Sequence, residues 1–394
     1  YQPTKDQLLV TSQIKEDMEQ PHPMDRLLVG DVGFGKTEVA FRAIFKAILD
    51  QKQVLFLCPT TILSNQHYET AMQRFESFPI EIGLLNRFTS KKETNRIIAG
   101  LKDGTIDLVI GTHRLLSNDI KPKDLGLLVI DEEQRFGVRQ KEKIKMYKSN
   151  IDVLTLTATP IPRTLALILY GDLDISIIDE LPPNRKKVDT FAVKKNMEER
   201  VNNFVKKQIN EGRQAYIVCP LVEENEEMDL KSVEELTKKY KEETFSEYKV
   251  EYLHGKMKAK EKDDIMEKFK NGDIDILIST TVIEVGVNVP NASIMVVENA
   301  ERFGLAQLHQ LRGRVGRGEY QSYCILKYEG NGKVVQERMK IMTSTNDGFI
   351  ISEKDLELRG SGEFFGTKQH GLPEFKIVNL FEDIEMLKMV QSLA

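Results

Sequence analysis

The stretch RLLVGDVGFGKTEVAFRAIFKAIL, residues 26–49, decides the fold. A short apolar run leads into GDVGFGKT (30–37), which satisfies G-x-x-x-x-G-K-[ST] at every position, and a helical pattern follows at once. Strand, glycine loop and helix in that order make a phosphate-binding loop rather than an incidental glycine turn. Gly30, Gly33 and Gly35 let the backbone curl until its N–H groups point at phosphate oxygens. The positive N-terminal end of the following helix adds to the attraction. In such a loop Lys36 reaches the β and γ phosphates of ATP, and the Thr37 hydroxyl ligates Mg²⁺.

Outward from this loop, apolar and β-branched runs recur: QVLFLC (53–58), DLVIG (107–111), LLVID (127–131) and VLTLT (153–157). A second series follows with AYIVC (215–219), DILIS (275–279), SIMVVE (293–298) and SYCILKY (322–328). Runs of this length, bounded by Gly, Pro and Asp, read as buried parallel strands joined by crossover helices. The α/β pattern occurs twice, and ELPPNRKK (180–187) is the break between the series. This predicts two tandem parallel-sheet domains, 1–182 and 183–335, and a C-terminal helical appendage, 336–394. The highly charged stretch 222–245 reads as a solvated helix and loop on the second domain.

LLVIDEEQ (127–134) ends a buried strand in three carboxylates. Open α/β sheets bind ligands outside the carboxyl ends of their strands, which sets these groups beside the phosphate loop. Asp131 is then expected to hold Mg²⁺, and Glu132 to orient and deprotonate an attacking water.

Composition narrows the class further. The chain has 394 residues, 40% hydrophobic and 30% charged, which suits a globular protein and argues against extensive disorder. No apolar run is long enough to span a bilayer, and no signal-peptide pattern opens the chain. Cys58, Cys219 and Cys324 lack metal spacing and sit in apolar runs, as reduced core residues of a cytoplasmic protein would. A net charge of −5 does not advertise nucleic-acid binding, although a local basic track suffices for it. Opening on Tyr1 rather than Met, the sequence reads as a fragment or a processed chain.

Behind the phosphate loop come PTTILSNQH (59–67), GTH (111–113), DEEQ (131–134) and TATPIPRT (157–164). The second half adds LHGKM (253–257), ISTTVIEVGVNVP (278–290) and QLHQLRGRVGRG (307–318). This series resembles the motifs of the superfamily 2 helicases and translocases, and the resemblance implies two RecA-like domains with ATP between them. It also implies that Thr60, Thr112 and His113 touch the nucleic-acid backbone, and that Thr157, Ala158 and Thr159 couple those contacts to the ATP site. Gln7 matches the glutamine that reads adenine; His254 and Lys256 fall near the nucleic-acid backbone. Gln310, Gly313, Arg314 and Arg317 match Q-x-x-G-R-x-x-R, which makes the two arginines the fingers that reach the γ-phosphate. Asn288 stands where the family has Asp; it keeps an acceptor for a ribose hydroxyl but brings no charge.

Within that superfamily the chain resembles the group formed by RecG and the transcription–repair coupling factor Mfd. MDRLLVGDVGFGKTEVAFRAIFKA and DLGLLVIDEEQRFGV are similar to Mfd, whereas YGDLDISIIDELPPNR and EGRQAYIVCPLVEE are similar to RecG. Such a mosaic fits a divergent natural protein, a chimera or a designed sequence. The group implies a bacterial, ATP-dependent double-stranded DNA translocase or helicase of DNA repair or recombination, acting on forked or branched DNA. RNA polymerase or repair proteins would be further partners through modules outside this chain. Two other readings stay open: an RNA helicase of the same superfamily, and an ATP-dependent DNA clamp that does not move.

RGSGEFFGTKQHG (359–371) taken alone is a weak phosphate-loop pattern without a preceding strand. Together with DLEL before it, it resembles the translocation motif of the RecG and Mfd group, preceded there by a helical hairpin. Arg359 and Gln369 match that motif's Arg and Gln, and the glycines are expected to serve tight turns in a loop. Loss of Arg359 should then spare ATP hydrolysis and stop movement.

Overall fold

A computed structural model describes residues 2–159, 173–182, 185–220, 234–280 and 288–366, with the side chains of Ala259 and of residues 359–366 left aside. Two sheets form the frame. The first contains β1 (Asp25–Gly30), β2 (Gln53–Leu57), β3 (Ile82–Leu85), β4 (Leu108–Gly111), β5 (Leu125–Asp131), β6 (Asp152–Thr157) and β7 (Asp174–Ile178). Their spatial order is β3-β4-β2-β5-β6-β1-β7, with every pairing parallel. The second contains β8 (Asp189–Lys194), β9 (Gln214–Cys219), β10 (Val250–Leu253), β11 (Ile276–Thr280), β12 (Ala292–Val297) and β13 (Tyr323–Tyr328). It is ordered β10-β11-β9-β12-β13-β8 and is again parallel throughout.

Parallel strands are covered on both faces, so their side chains are apolar in both directions. In the first domain, α1 (Lys5–Asp17), α2 (Lys36–Leu49) and α3 (Thr61–Arg74) bury Ile14, Ile44 and Ala71 against Leu28, Phe56 and Val129 on one face. On the other face, α4 (Lys91–Asp103) and α5 (Val138–Lys148) pack Leu101 and Ile144 against Leu55, Val109 and Leu128. The second domain repeats the sandwich. Its α6 (Glu198–Asn210) covers one face with Val201 and Val205. The opposite face is covered by α7 (Ala259–Lys270), α8 (Leu305–Arg312) and α9 (Lys333–Ser344), through Phe269, Leu308 and Met342.

After α9 the chain enters α10 (Gly348–Gly366). Ile351 of this helix joins the core of the second domain, while Phe349 packs with Leu27 and Val29 of β1 in the first. The helix therefore straddles both domains.

Two expectations change, and one falls outside the described residues. Gly360, Gly362 and Gly366 lie within α10 rather than in a loop, because an uninterrupted helical backbone leaves no turn for them to make. Gln369 and Gly371 lie outside the described residues, as does the side chain of Arg359. The stretch 222–245 is not wholly solvated: residues 222–233 are outside the described part, and Tyr240 and Phe245 beyond them are core, their rings tilted against each other at 5.3 Å. Cys58, Cys219 and Cys324 are free and buried, as expected.

Candidate nucleotide site between the two domains

The order β5-β6-β1 sets the carboxyl ends of three strands side by side: the phosphate loop after β1, the acidic turn after β5, and Thr157–Thr159 after β6. They line one wall of a cleft of about 440 Å³, to which the second domain brings Asn288, Arg314, Gly316 and Arg317.

The phosphate loop is bent by glycines where it must be. Gly33 and Gly35 have φ of +81° and +82°, a region closed to most side chains. Lys36 is buried and donates from Nζ to the carbonyls of Gly30 (2.7 Å) and Asp31 (2.9 Å). Burial lowers its pKa, opposed by Glu132, Asp131 and Asp31. Thr37 lines the cleft one residue further along α2. Gln7 lies beneath the loop, where its Nε2 donates to the Phe34 carbonyl at 2.8 Å and its Oε1 accepts from the Thr4 N–H at 3.1 Å. The glutamine expected at the adenine thus braces the loop itself.

Asp131 closes β5 with its Oδ2 3.0 Å from His67 Nε2, and the His67 ring stacks on Phe56 at 4.7 Å. Glu132 follows in a left-handed conformation, φ +54°, a strain of about 1–3 kcal/mol for a non-glycine residue. Two bonds hold it: its N–H donates to the Leu156 carbonyl at 2.9 Å, and its Oε1 accepts from the Ala158 N–H at 2.8 Å. Gln134 contacts its other oxygen. Burial, reinforced by Asp131, pushes the Glu132 carboxyl above its ordinary range. A carboxylate so placed is a stronger base than an exposed one.

Thr157 accepts from the Thr159 N–H at 3.3 Å, and the Thr159 hydroxyl receives a hydrogen bond from Gln310 Nε2 at 3.4 Å. The segment that holds Glu132 is therefore bonded to the arginine-bearing motif opposite. Arg314 is buried at this wall and Arg317 is half-buried beside it. Burial, with Arg317 beside it, takes Arg314 down to about 9; burial, with Arg185 beside it, takes Arg317 down to about 10. Arg314 Nη1 is buried without a hydrogen-bond partner among the described residues. A buried unpaired guanidinium nitrogen is costly, and a phosphate oxygen would satisfy it.

The Asn288 N–H donates to Gln66 Oε1 on α3 at 3.0 Å, while its own Oδ1 is buried and unpartnered among the described residues. An orphaned acceptor at the cleft suits a ribose hydroxyl. Thr60, Thr112, His113 and His254 lie away from this cleft. Thr60 caps α3 by accepting from Leu63 N at 3.3 Å, Thr112 is buried at the end of β4, and His113 is exposed beside it. His254 stacks on Tyr252 at 5.8 Å and leaves Nδ1 buried without a partner among the described residues.

The sequence reading missed a buried bridge. Asp31 Oδ2 lies 2.7 Å from His309 Nε2 of the second domain, and His309 Nδ1 accepts from Arg312 Nη2 at 2.9 Å. Arg312 also donates to the carbonyls of Met342 (2.8 Å) and Thr345 (2.9 Å), at the approach to α10. Gly348 opens that helix against the pair: a Cβ there would stand 2.6 Å from both Asp31 Oδ2 and His309 Nε2. Burial raises the Asp31 pKa, but His309 and the Val32 N–H outweigh it and hold the carboxyl below its usual range. His67 was also missed. Both histidines lay in quoted motifs, yet nothing in their spacing says which carboxylate each would meet.

Two RecA-like domains that share a phosphate loop, a strand-end acid and paired arginines define a two-domain helicase core. Known proteins agree. Family models match in succession: DEAD/DEAH box helicase over residues 4–168, helicase conserved C-terminal domain over 196–319, and ATP-dependent DNA helicase RecG, domain 3, C-terminal over 345–394. The ATP-dependent DNA helicase RecG of Bacillus subtilis is 46% identical over 99% of this chain and 57% of its own length. The transcription-repair-coupling factor of the same organism is 48% identical over 98% of this chain and 32% of its own. A solved structure of RecG bound to a three-way DNA junction superposes with a TM-score of 0.83 at 44% identity, covering 98% of this chain and 50% of that one. The chain belongs to the helicase group that RecG and the coupling factors form, and it spans about half the length of its RecG relatives. Its helicase domains imply ATP binding. Among the described residues no helix is long and apolar enough to cross a membrane.

Proposed function

We propose that this chain is the ATP-driven motor core of a bacterial, cytoplasmic translocase that moves on double-stranded DNA. The observation that carries the reading is the cleft itself, which sets Lys36 and Glu132 on one wall and Arg314 and Arg317 on the other. Lys36, freed from its two carbonyls, takes the β and γ phosphates. Glu132 accepts the proton of the attacking water, and the arginines neutralise charge that develops on the γ-phosphate. Thr37 and Asp131 would hold Mg²⁺, which supplies charge compensation at the phosphates. That donor set fits a substrate-borne ion: among the described residues no cluster of three His, Cys, Asp or Glu side chains could hold a metal unaided.

Hydrolysis needs both walls, so each cycle closes and reopens the domains and shifts DNA contacts such as Thr60, Thr112, His113 and His254. Asn288 takes a ribose hydroxyl, and Thr157–Thr159 transmit the closure through Gln310. The match to the RecG domain over 345–394 favours branched DNA over a polymerase-directed role, with Arg359 and Gln369 in that segment.

ATPase assays with duplex, forked and single-stranded DNA and with RNA, alongside triplex displacement, test the reading. Duplex-stimulated hydrolysis with triplex displacement is expected. Stimulation by RNA alone, or hydrolysis without displacement, would overturn it.

A further inference from the structure

ELPPNRKK joins the two domains, and its Arg185 does not face solvent as a linker cation would. The Arg185 N–H donates to the Pro182 carbonyl at 3.1 Å, and its side chain lines the cleft. There the guanidinium spans both walls: Nη1 donates to the Val32 carbonyl of the phosphate loop at 2.8 Å, and Nε to the Gly316 carbonyl of the arginine motif at 3.0 Å. It lies directly over Gly33, whose missing Cβ would coincide with the guanidinium. Both carbonyls belong to loops turned by left-handed glycines, Gly33 at φ +81° and Gly316 at φ +79°.

Among the described residues no carboxylate pairs with Arg185. Those nearby are occupied: Asp31 by His309, Asp131 by His67, Glu132 by the Ala158 N–H. Lys36, Arg185, Arg314 and Arg317 thus line one cleft with two carboxylates, Asp131 and Glu132, an excess of positive charge. Arg185 lowers the proton affinity of both Lys36 and Arg317, so these cations repel one another while no anion lies between them. A polyphosphate relieves that repulsion, and a planar guanidinium over a phosphate loop has the fork geometry to bind it.

We propose that Arg185 is a third arginine of the nucleotide site, carried by the interdomain linker, which exchanges a loop carbonyl for a phosphate oxygen of ATP. Because it is anchored on both walls, the exchange transmits nucleotide occupancy to the segment about which the domains move. This rests on the motor reading above.

The test is calorimetric titration of the full chain with Mg²⁺ and either ADP or a non-hydrolysable ATP analogue, with thermal unfolding alongside. Arg185→Ala is expected to weaken the ATP analogue about tenfold or more and ADP less, at an unchanged Tm. Arg185→Lys, which keeps the charge but not the fork, should lose less. Unchanged or tighter binding in Arg185→Ala overturns the inference, the latter because the guanidinium would then merely compete for the loop. Should Arg185→Ala fail to fold, wild-type affinity in Arg185→Lys overturns it instead. If the unaltered chain binds neither nucleotide, the motor reading fails, an outcome distinct from a wild type that binds and a variant that binds equally.

Discussion

On the first domain's wall of the cleft, the charged groups are held by their own domain: Lys36 by two loop carbonyls, Asp131 by His67, Glu132 by Ala158. On the second domain's wall, Arg314 keeps a buried nitrogen unpaired among the described residues, and Asn288 and Gln310 are bonded to partners across the gap. One wall is built to bind before closure; the other becomes satisfied only when something lies between them. That asymmetry separates nucleotide binding from turnover, and substitutions on the two walls should fail differently.

Lys36→Ala attacks the pre-built wall and should have the largest effect, lowering ATP turnover roughly a thousandfold or more and weakening nucleotide binding as well. Steady-state ATPase and calorimetry check both. Arg314→Ala attacks the other wall and should lower kcat by about a thousandfold while ADP affinity stays within a few fold. Loss of ADP binding in that variant would erase the distinction between the walls. Glu132→Gln should lower kcat by about a hundredfold or more with nucleotide affinity retained. The unaltered enzyme supplies a second check on Glu132. A carboxyl with a raised pKa takes up its proton sooner on acidification, so the acid limb of the pH–kcat profile should lie above that of an ordinary glutamate.

His309→Ala removes the central member of the bridge from Asp31 to Arg312 and leaves two buried groups short of a partner. A loss of about 2 kcal/mol in unfolding free energy is expected, read by denaturant titration. The smallest change should follow Asn288→Asp, which keeps the orphaned acceptor and adds only charge: ATP affinity within about threefold, measured by competition.

The sheets show what periodicity can and cannot reveal. Nine strands announced themselves as apolar runs, RLLV among them, and all of them are interior. The four that went unread, β3, β7, β8 and β10, are the four sheet edges. An edge strand has one neighbour and partial exposure, so no residue of DTFAVK in β8 is fully buried and its apolar run is broken by polar residues at both ends. The site divides in the same way. Gly33, Lys36, Asp131 and Glu132 were legible because one local run holds each group and the backbone that aims it. Asp31–His309 and Arg185–Gly316 were not, for they join positions 278 and 131 residues apart.

Local chemistry therefore determined, from the sequence by itself, that two α/β domains follow each other, that the first binds phosphate, and that the second brings a pair of arginines. Tertiary structure alone decided which groups are paired and which are left wanting. Gln7 came to brace the loop from beneath, α10 absorbed glycines expected in turns, and a linker arginine came to lie over Gly33. The physical reason is common to all three. Hydrogen-bond satisfaction and desolvation depend on every neighbour of a group, and most of those neighbours are supplied by distant parts of the chain.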